Sequence, residues 1–495
     1  MTMKKAVIIG AGIGGMSAAA VLAQQGMDVT ILEKNDKPGG RINFFKEQGF
    51  TFDMGPSWYW MPDVFEDFYQ KFGHTTSDFY DLQRLDASYQ VFFKSDRISL
   101  PASYTEYRKL FESIEPGSAD RLDKFLAEAE YKYKVGMSEF VWKPGKSLFE
   151  FADLKVFKSV LKLQMLSSIK KAVSKVVKDE RLRQILEFPV LFLGATPGDT
   201  PALYSLMNYA DIKLGTWYPQ GGMYEIATAF YDIALEQGVK FEFDTPVDKF
   251  TYHNQNAIKS ALSVDKEFNA DIVIANADYH HIDQHVLDPE FRQYDSAYWQ
   301  SRKMAPSSLL VFLGVDKKIE GLKHHNLFFD ADFDGHAYEI YKEPAWPSDP
   351  LYYVCSPSVT DPSVAPAGNE NLFLLMPTAP DLNSNDEICQ SYLDKMIDRM
   401  EKHLKLEFKS NIILKKFFCV EDFKAIYNAF KGNAYGLANT LSQTAVLKPS
   451  LKSRKISNLY YAGQLTTPGP GLPPSLISGQ VAAAEVLKKV YDRVV

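Results

Sequence analysis

The chain opens on a short apolar run, Ala6-Val7-Ile8-Ile9, which glycines cut off at once. A run of this length bounded by a turn reads as a strand buried on both faces. Residues 10–15 form the turn, and residues 14–25 are Ala-rich and helical. Val29-Thr30-Ile31-Leu32 is a second apolar run, ended by Glu33. Strand, helix and strand within about thirty residues predict a βαβ unit and a parallel sheet.

Further along, Phe50-Thr51-Phe52-Asp53 predicts a strand entering a turn at 54–57. Amphipathic spacing predicts helices over 104–112, 118–135, 154–178 and 224–237, and a last helix from about 475 to 492. Strand-like segments at 239–243 and 271–275 and a last apolar run at 459–463 predict further strands, and Trp217 to Met223 reads as a loop. Two regions of mixed aromatic and charged character interrupt this scheme, the second with six prolines between Pro344 and Pro366. The pattern predicts a discontinuous nucleotide domain over 1–85, 220–290 and 425–495. A mixed α+β substrate domain takes 86–219 and 291–424, with a helical part at about 150–200. The fold class is α/β, with a Rossmann-like nucleotide domain.

Composition narrows the reading. With 46% hydrophobic and 24% charged residues, the chain is a folded globular protein. Its formal charge of −7 supplies no basic field for nucleic acid. Cys355, Cys389 and Cys419 form no CxxC pair, which argues against a disulfide or zinc scaffold and fits a reducing cytoplasm. No stretch approaches the ~18 uninterrupted apolar residues of a membrane span.

The candidate chemistry lies in the first turn. Gly10-Ala11-Gly12-Ile13-Gly14-Gly15 fits G-x-G-x-x-G. Gly10 permits the tight turn, Gly12 lets a pyrophosphate approach, and Gly15 lets helix and strand pack closely. The helix N-terminus aims N–H groups and partial positive charge at the phosphates. Glu33 can accept from an adenosine ribose hydroxyl. Pro38-Gly39-Gly40-Arg41 adds a second glycine crossing and a cation, which suits a long dinucleotide such as FAD. His280, His281 and His285 put two imidazoles four apart, but no Glu lies between them as in HExxH, so no metal site is expected.

These residues and several later segments resemble the bacterial carotenoid desaturases of the phytoene-desaturase type, within the amine-oxidase-like flavoproteins. The segments are Gly49 to Ser57, Asp179 to Arg183, Trp217 to Gly222, Asp361 to Gly368 and the closing Asn458 to Gly463 with Pro468 to Pro473. The chain departs from the commoner closing form at Gln464 and Leu465. The resemblance implies FAD, held at its ADP half by Gly10, Gly12, Ile13, Gly15, Glu33 and Arg41. It implies Ser57 and Trp58 near the flavin and Val247 on a strand that meets the adenine. Asn276 would lie near the pyrophosphate, with Gly463, Pro470, Gly471, Leu472, Pro473 and Pro474 along the ribityl chain and ring. A helix N-terminus at Ser475 would face the charge of reduced flavin.

The implied substrate is a C40 polyene. C-3,4 desaturation of a 1′-hydroxy-γ-carotene-type carotenoid leads, with stepwise desaturation of phytoene to lycopene as an alternative; an amine or protoporphyrinogen oxidase is another. The terminal acceptor would be oxygen or a quinone. Residues 154–178 carry Lys155, Lys158, Lys162, Lys170, Lys171, Lys175 and Lys178 with no acid between them. With the resemblance, they are expected to lie monotopically on a membrane surface. The expected location is cytoplasmic, peripheral to the inner membrane. Trp217 and Tyr218 could line a polyene tunnel or simply pack, and no general base is named.

Overall fold

The computed structural model describes residues 3–145, 167–253, 256–440 and 443–491. Its centre is a five-stranded, all-parallel sheet. In spatial order the strands are Leu459–Tyr461, Ile272–Ala275, Lys5–Ile9, Asp28–Leu32 and Lys240–Glu242. Side chains alternate across it. Ala6, Ile8, Val29 and Ile31 pack toward one core, and Val7, Ile9, Val273 and Ala275 toward another. On the first face the helix Ile13–Gln24 lies against both Tyr224–Glu236 and the C-terminal helix Leu472–Tyr491. On the second, the strands Lys249–His253, Ala257–Ser263 and Lys266–Asn269 form an antiparallel sheet that shares its core.

The first and last helices are built for close approach. Ser17 Oγ donates to the carbonyls of Gly14 and Leu476, both at 3.0 Å, which ties one helix to the other. A β-carbon on Gly479 would come within 2.9 Å of the Gly14 carbonyl carbon, and closer still to its oxygen and to Ser17 Oγ. Only a residue without a side chain fits there.

A seven-stranded sheet forms the second body. Its order is Ile412–Phe418, Ser307–Val315, Glu370–Thr378, Tyr352–Cys355, His325–Phe328, Tyr89–Phe92 and Arg97–Leu100. One face packs on the helix Asp386–Leu404 through Met396, Ile397 and Met400. The other turns Phe312, Tyr353 and Phe373 toward the main core. The hairpin Phe44–Glu47 and Phe50–Asp53 bridges the two bodies, with Phe45 and Phe52 set 5.2 and 5.8 Å from Phe312. All strands of the parallel sheet come from 1–85, 220–290 and 425–495. Those of the seven-stranded sheet come from 86–219 and 291–424.

Several local expectations are corrected. Trp217–Pro219 is a strand paired with Leu82–Arg84, because the loop backbone finds an antiparallel partner. The last helix begins at Leu472, before Ser475, since Pro473 and Pro474 fit a first turn whose N–H groups have no helical acceptor. Val247 lies in the extended connection between two strands rather than on one. Of residues 154–178, those up to 166, with Lys155, Lys158 and Lys162, lie outside the described residues. The described part is helical only over Ile169–Val173, where Ser168 caps the start through its side chain. Ile169, Val173, Val176 and Val177 are buried against the protein, while Lys170, Lys171, Lys175 and Lys178 are exposed. Among the described residues, no helix is long and apolar enough to cross a membrane.

Candidate cofactor site

The carboxyl ends of the parallel strands open onto a cleft of about 310 Å³, where a doubly wound sheet receives its ligand. Gly10, Gly12, Ile13, Glu33, Arg41, Val247, Asn276, Gly463 and Leu472 all line it. Separate stretches of chain, far apart in sequence, therefore meet at one groove.

The glycine turn sits at its floor. Asn276, which follows the strand Ile272–Ala275, accepts the Gly15 N–H on Oδ1 at 2.6 Å. A β-carbon on Gly12 would lie 3.0 Å from the same Oδ1, and one on Gly463 would lie 3.0 Å from Asn276 Nδ2. Asn276 thus spans the first loop and the last; a β-carbon on Gly12 would press on its amide, and the φ of +105° at Gly463 strains any other residue. Glu33 is buried at the end of the second strand. Its Oε2 accepts from Ala11 N–H at 2.7 Å, and its Oε1 from the backbone and side-chain N–H groups of Asn35 at 2.9 and 2.8 Å. Burial raises its carboxyl, and these donors pull it back down.

Arg41 is the cation of the site. Its guanidinium lies over the Tyr427 ring at 5.3 Å. Gln464, with its amide oxygen turned inward, accepts from Arg41 Nη2 at 3.0 Å. Burial lowers the guanidinium's affinity for its proton, and Asp278 opposes that shift. Asp278 is itself buried and pushed up to about 6, mainly by desolvation. Arg41 Nε has no hydrogen-bond partner. A buried, incompletely partnered guanidinium beside a glycine-lined helix N-terminus fits a diphosphate. The cleft therefore suits an FAD whose ribose meets Glu33 and whose diphosphate meets the glycine turn and Arg41.

The remaining expected residues lie elsewhere. Gly15 acts from behind the floor through Asn276. Pro470 and Gly471 form the turn just before Leu472, and Pro473 and Pro474 are the helical residues just after it. Ser57 lines a separate small void with Asp53, Tyr218, His324 and Cys355. Trp58 is packed in an aromatic wall, stacked on His325 at 4.1 Å, edge-on to Tyr89 at 5.5 Å and tilted against Phe188 and Tyr353 at 5.7 and 5.6 Å. Tyr218 is buried with its hydroxyl donating to Asp361 at 3.2 Å, and Trp217 donates to the Leu214 carbonyl at 2.9 Å; both are packing residues.

The cleft also recruits residues that pattern alone did not single out. Asp278 and His281 follow Asn276 within five positions, and Tyr427 comes from the end of the helix Val420–Tyr427; Gln464, noted in the sequence only as a departure from the closing motif, also joins them. Proximity to Asn276 was the available signal for the first two; for Tyr427 there was none. His280 stacks on Phe430 at 3.9 Å, and burial drops His280 and His281 to about 4. Among the described residues, the possible ligand atoms that cluster are those of His324, His325 and Cys355, within 4.8 Å of one another. Burial pushes that thiol up to about 12, so it is no ready thiolate ligand.

Comparison with known proteins places the whole chain. The model of the family described as "Flavin containing amine oxidoreductase" matches residues 13–487. A carotenoid 3,4-desaturase of Haloarcula japonica is 41% identical over 485 residues, covering 98% of each chain. A zeta-carotene-forming phytoene desaturase of Myxococcus xanthus is 30% identical over 98% of this chain and 94% of its own. The fold is shared with the crystal structure of an oxidoreductase from Methanosarcina mazei, with a TM-score of 0.64 at 16% identity over 98% of this chain and 100% of that one.

Proposed function

Since the chain belongs to the flavin-containing amine oxidoreductases, we propose that it is an FAD-dependent carotenoid desaturase acting at C-3,4 of a 1′-hydroxy-γ-carotene-type polyene. The observation that carries this reading is the end-to-end likeness to a carotenoid 3,4-desaturase, which spans every segment that lines the cleft. Stepwise phytoene desaturation is the second reading, favoured by the phytoene desaturase likeness.

Bound FAD supplies the hydride acceptor for removal of two hydrogens across a C–C bond. The chain's own residues do the rest. Arg41 and the glycine turn hold the diphosphate, Glu33 anchors the ribose, and Asn276 keeps first and last loops in register. The aromatic wall of Trp58, Trp60, Tyr89 and Phe188 is apolar, which excludes water, and its π faces suit positive charge developing on a polyene. The exposed face of Lys170, Lys171, Lys175 and Lys178 supports attachment to anionic headgroups. Their aliphatic neighbours are already docked on the protein, so attraction there is electrostatic. We place the enzyme on the cytoplasmic side of the inner membrane, with oxygen or a quinone as acceptor.

The test is anaerobic mixing of the yellow holoprotein with phytoene, γ-carotene and 1′-hydroxy-γ-carotene. The expected result is bleaching of the flavin and a red shift of the polyene, fastest with the hydroxylated substrate. Amine turnover with peroxide release and no response to any polyene would overturn the reading.

A further inference from the structure

Among the described residues, Lys448 is a buried cation with no acid paired to it. It lies on the loop that precedes the strand Leu459–Tyr461, and only 5% of it is exposed. Among the described residues, its Nζ has no hydrogen-bond partner and joins no ion pair. A β-carbon placed on Gly469 would come within 2.5 Å of that nitrogen, so the ammonium rests directly on the turn that starts the last helix. Asn439 flanks the same turn, and its Oδ1 also lacks a partner. Among the described residues, the loops packed there present Asn439, Thr466 and Thr467, none of them charged.

An amine stripped of water and given no anion costs a fold several kcal/mol unless something else repays it. Desolvation alone pulls Lys448 down to about 7. Structural roles for a lysine, such as a salt bridge or a carbonyl cap, are not filled. What lies beside it is the N-terminus of a twenty-residue helix, whose positive end adds to the same field. Two positive features converging on one turn point to an anion, and within the cofactor reading above that anion is the reduced ring.

We propose that Lys448 is the counter-charge for reduced flavin: its ammonium and the start of the last helix together stabilise the negative charge that the ring acquires with hydride. The chain itself then raises the cofactor's affinity for electrons, which suits withdrawal of hydride from a weakly reducing C–H bond. In charge terms, hydride adds two electrons and one proton to a neutral ring and leaves it anionic. Lys448, neutral in part before reduction, takes up a proton from solvent as that anion forms.

The experiment uses the FAD-loaded wild type, K448M and K448R, with FAD stoichiometry measured first. The midpoint potential is then titrated against a reference dye, and reduced flavin is identified by its spectrum. In K448M the reduced-to-oxidised ratio at a fixed potential is expected to fall at least tenfold, about 30 mV for a two-electron couple. K448R should stay near wild type. A K448M reduced-to-oxidised ratio within twofold of wild type, at the same fixed potential and full FAD occupancy, overturns the proposal. If K448M fails to fold, the wild type decides. Its potential should fall more steeply with pH above about 7 than below, and a constant slope there overturns the proposal. A wild type that takes up no FAD sinks the cofactor reading instead, which keeps the two failures distinct.

Discussion

Replacing Gly479 by Ala adds one methyl group where two helices touch backbone to backbone. The new carbon would fall within 2.9 Å of the Gly14 carbonyl carbon and closer to the carbonyl oxygen and Ser17 Oγ. Ser17 can rotate away, at the loss of its bonds to Gly14 and Leu476. The backbone oxygen cannot, so the helices must part by roughly 1 Å to restore ordinary contact. A gap of that size forfeits a quarter to a half of the dispersion energy across the seam. With the lost hydroxyl bonds, the cost falls at the upper end of the usual overpacking range, about 3 kcal/mol.

Parting the helices also widens the cofactor site, because Gly12 to Gly14 begin one helix and Leu472 and Ser475 begin the other, and all of these line the cleft. FAD affinity should therefore drop ten- to a hundredfold, about 1.4–2.8 kcal/mol. The assay is titration of apoprotein with FAD, followed by quenching of flavin fluorescence, beside a thermal melt of the apoprotein. Gly26→Ala is the control: its φ of +81° strains any other residue, but a β-carbon there meets nothing within 4 Å. That control should lose about 1–2 kcal/mol of stability and keep its FAD affinity. If G479A binds FAD as tightly as wild type, the two helix starts are not coupled through this seam and the reasoning fails.

Three shorter expectations follow from the same geometry. Arg41→Met should weaken FAD binding by about 3 kcal/mol, as expected for charge-assisted bonds to a diphosphate, with apoprotein stability nearly unchanged; equal affinity by calorimetry would refute it. Asp211 is buried, accepts from Tyr89 at 3.0 Å, and is raised to about 7 by desolvation. Its folded form holds the proton more tightly than the unfolded chain, so the stability it contributes is complete below about 4 and is lost as pH rises through about 7. Asp211→Asn should accordingly gain melting temperature over wild type at pH 8 but not at pH 5, and equal differences at both pH values would count against it. Replacing Lys170, Lys171, Lys175 and Lys178 by Gln should cut sedimentation with anionic vesicles steeply at low salt; binding that persists would remove the electrostatic contribution assigned to this face.

The parallel sheet was legible because its signals are local. Each strand is a short apolar run closed by a turn residue, and the first βαβ unit carries its ligand chemistry within its own connection. The seven-stranded sheet was opaque for the opposite reason. His325–Phe328 pairs in parallel with Tyr89–Phe92, more than two hundred residues away, and nothing in either stretch names the other. The same distance hid Tyr427, which reaches Arg41 only through the fold, and hid the contact of Gln464 with that arginine. Val247 was placed in the right cleft on the wrong kind of element, because the bend between two strands leaves no mark on an apolar dipeptide. The helix start was missed by three residues because proline, a breaker inside a helix, is welcome in its first turn.

Asn276 and Lys448 mark where such reading stops. An asparagine after a buried strand is an ordinary turn residue, and a lysine in a polar loop is ordinarily solvated. Each acquires its role only from what crosses it. Asn276 lies between the first glycine turn and Gly463, so a change at that one side chain disturbs both walls at once. Lys448 lies under the turn at Gly469, where the described loops that surround it bring no acid. A chain designed only to fold would have used Met or Leu at such a position. The retained charge, set against the beginning of the helix that closes the cleft, is what distinguishes a groove shaped to hold a dinucleotide from one that also governs how readily it is reduced.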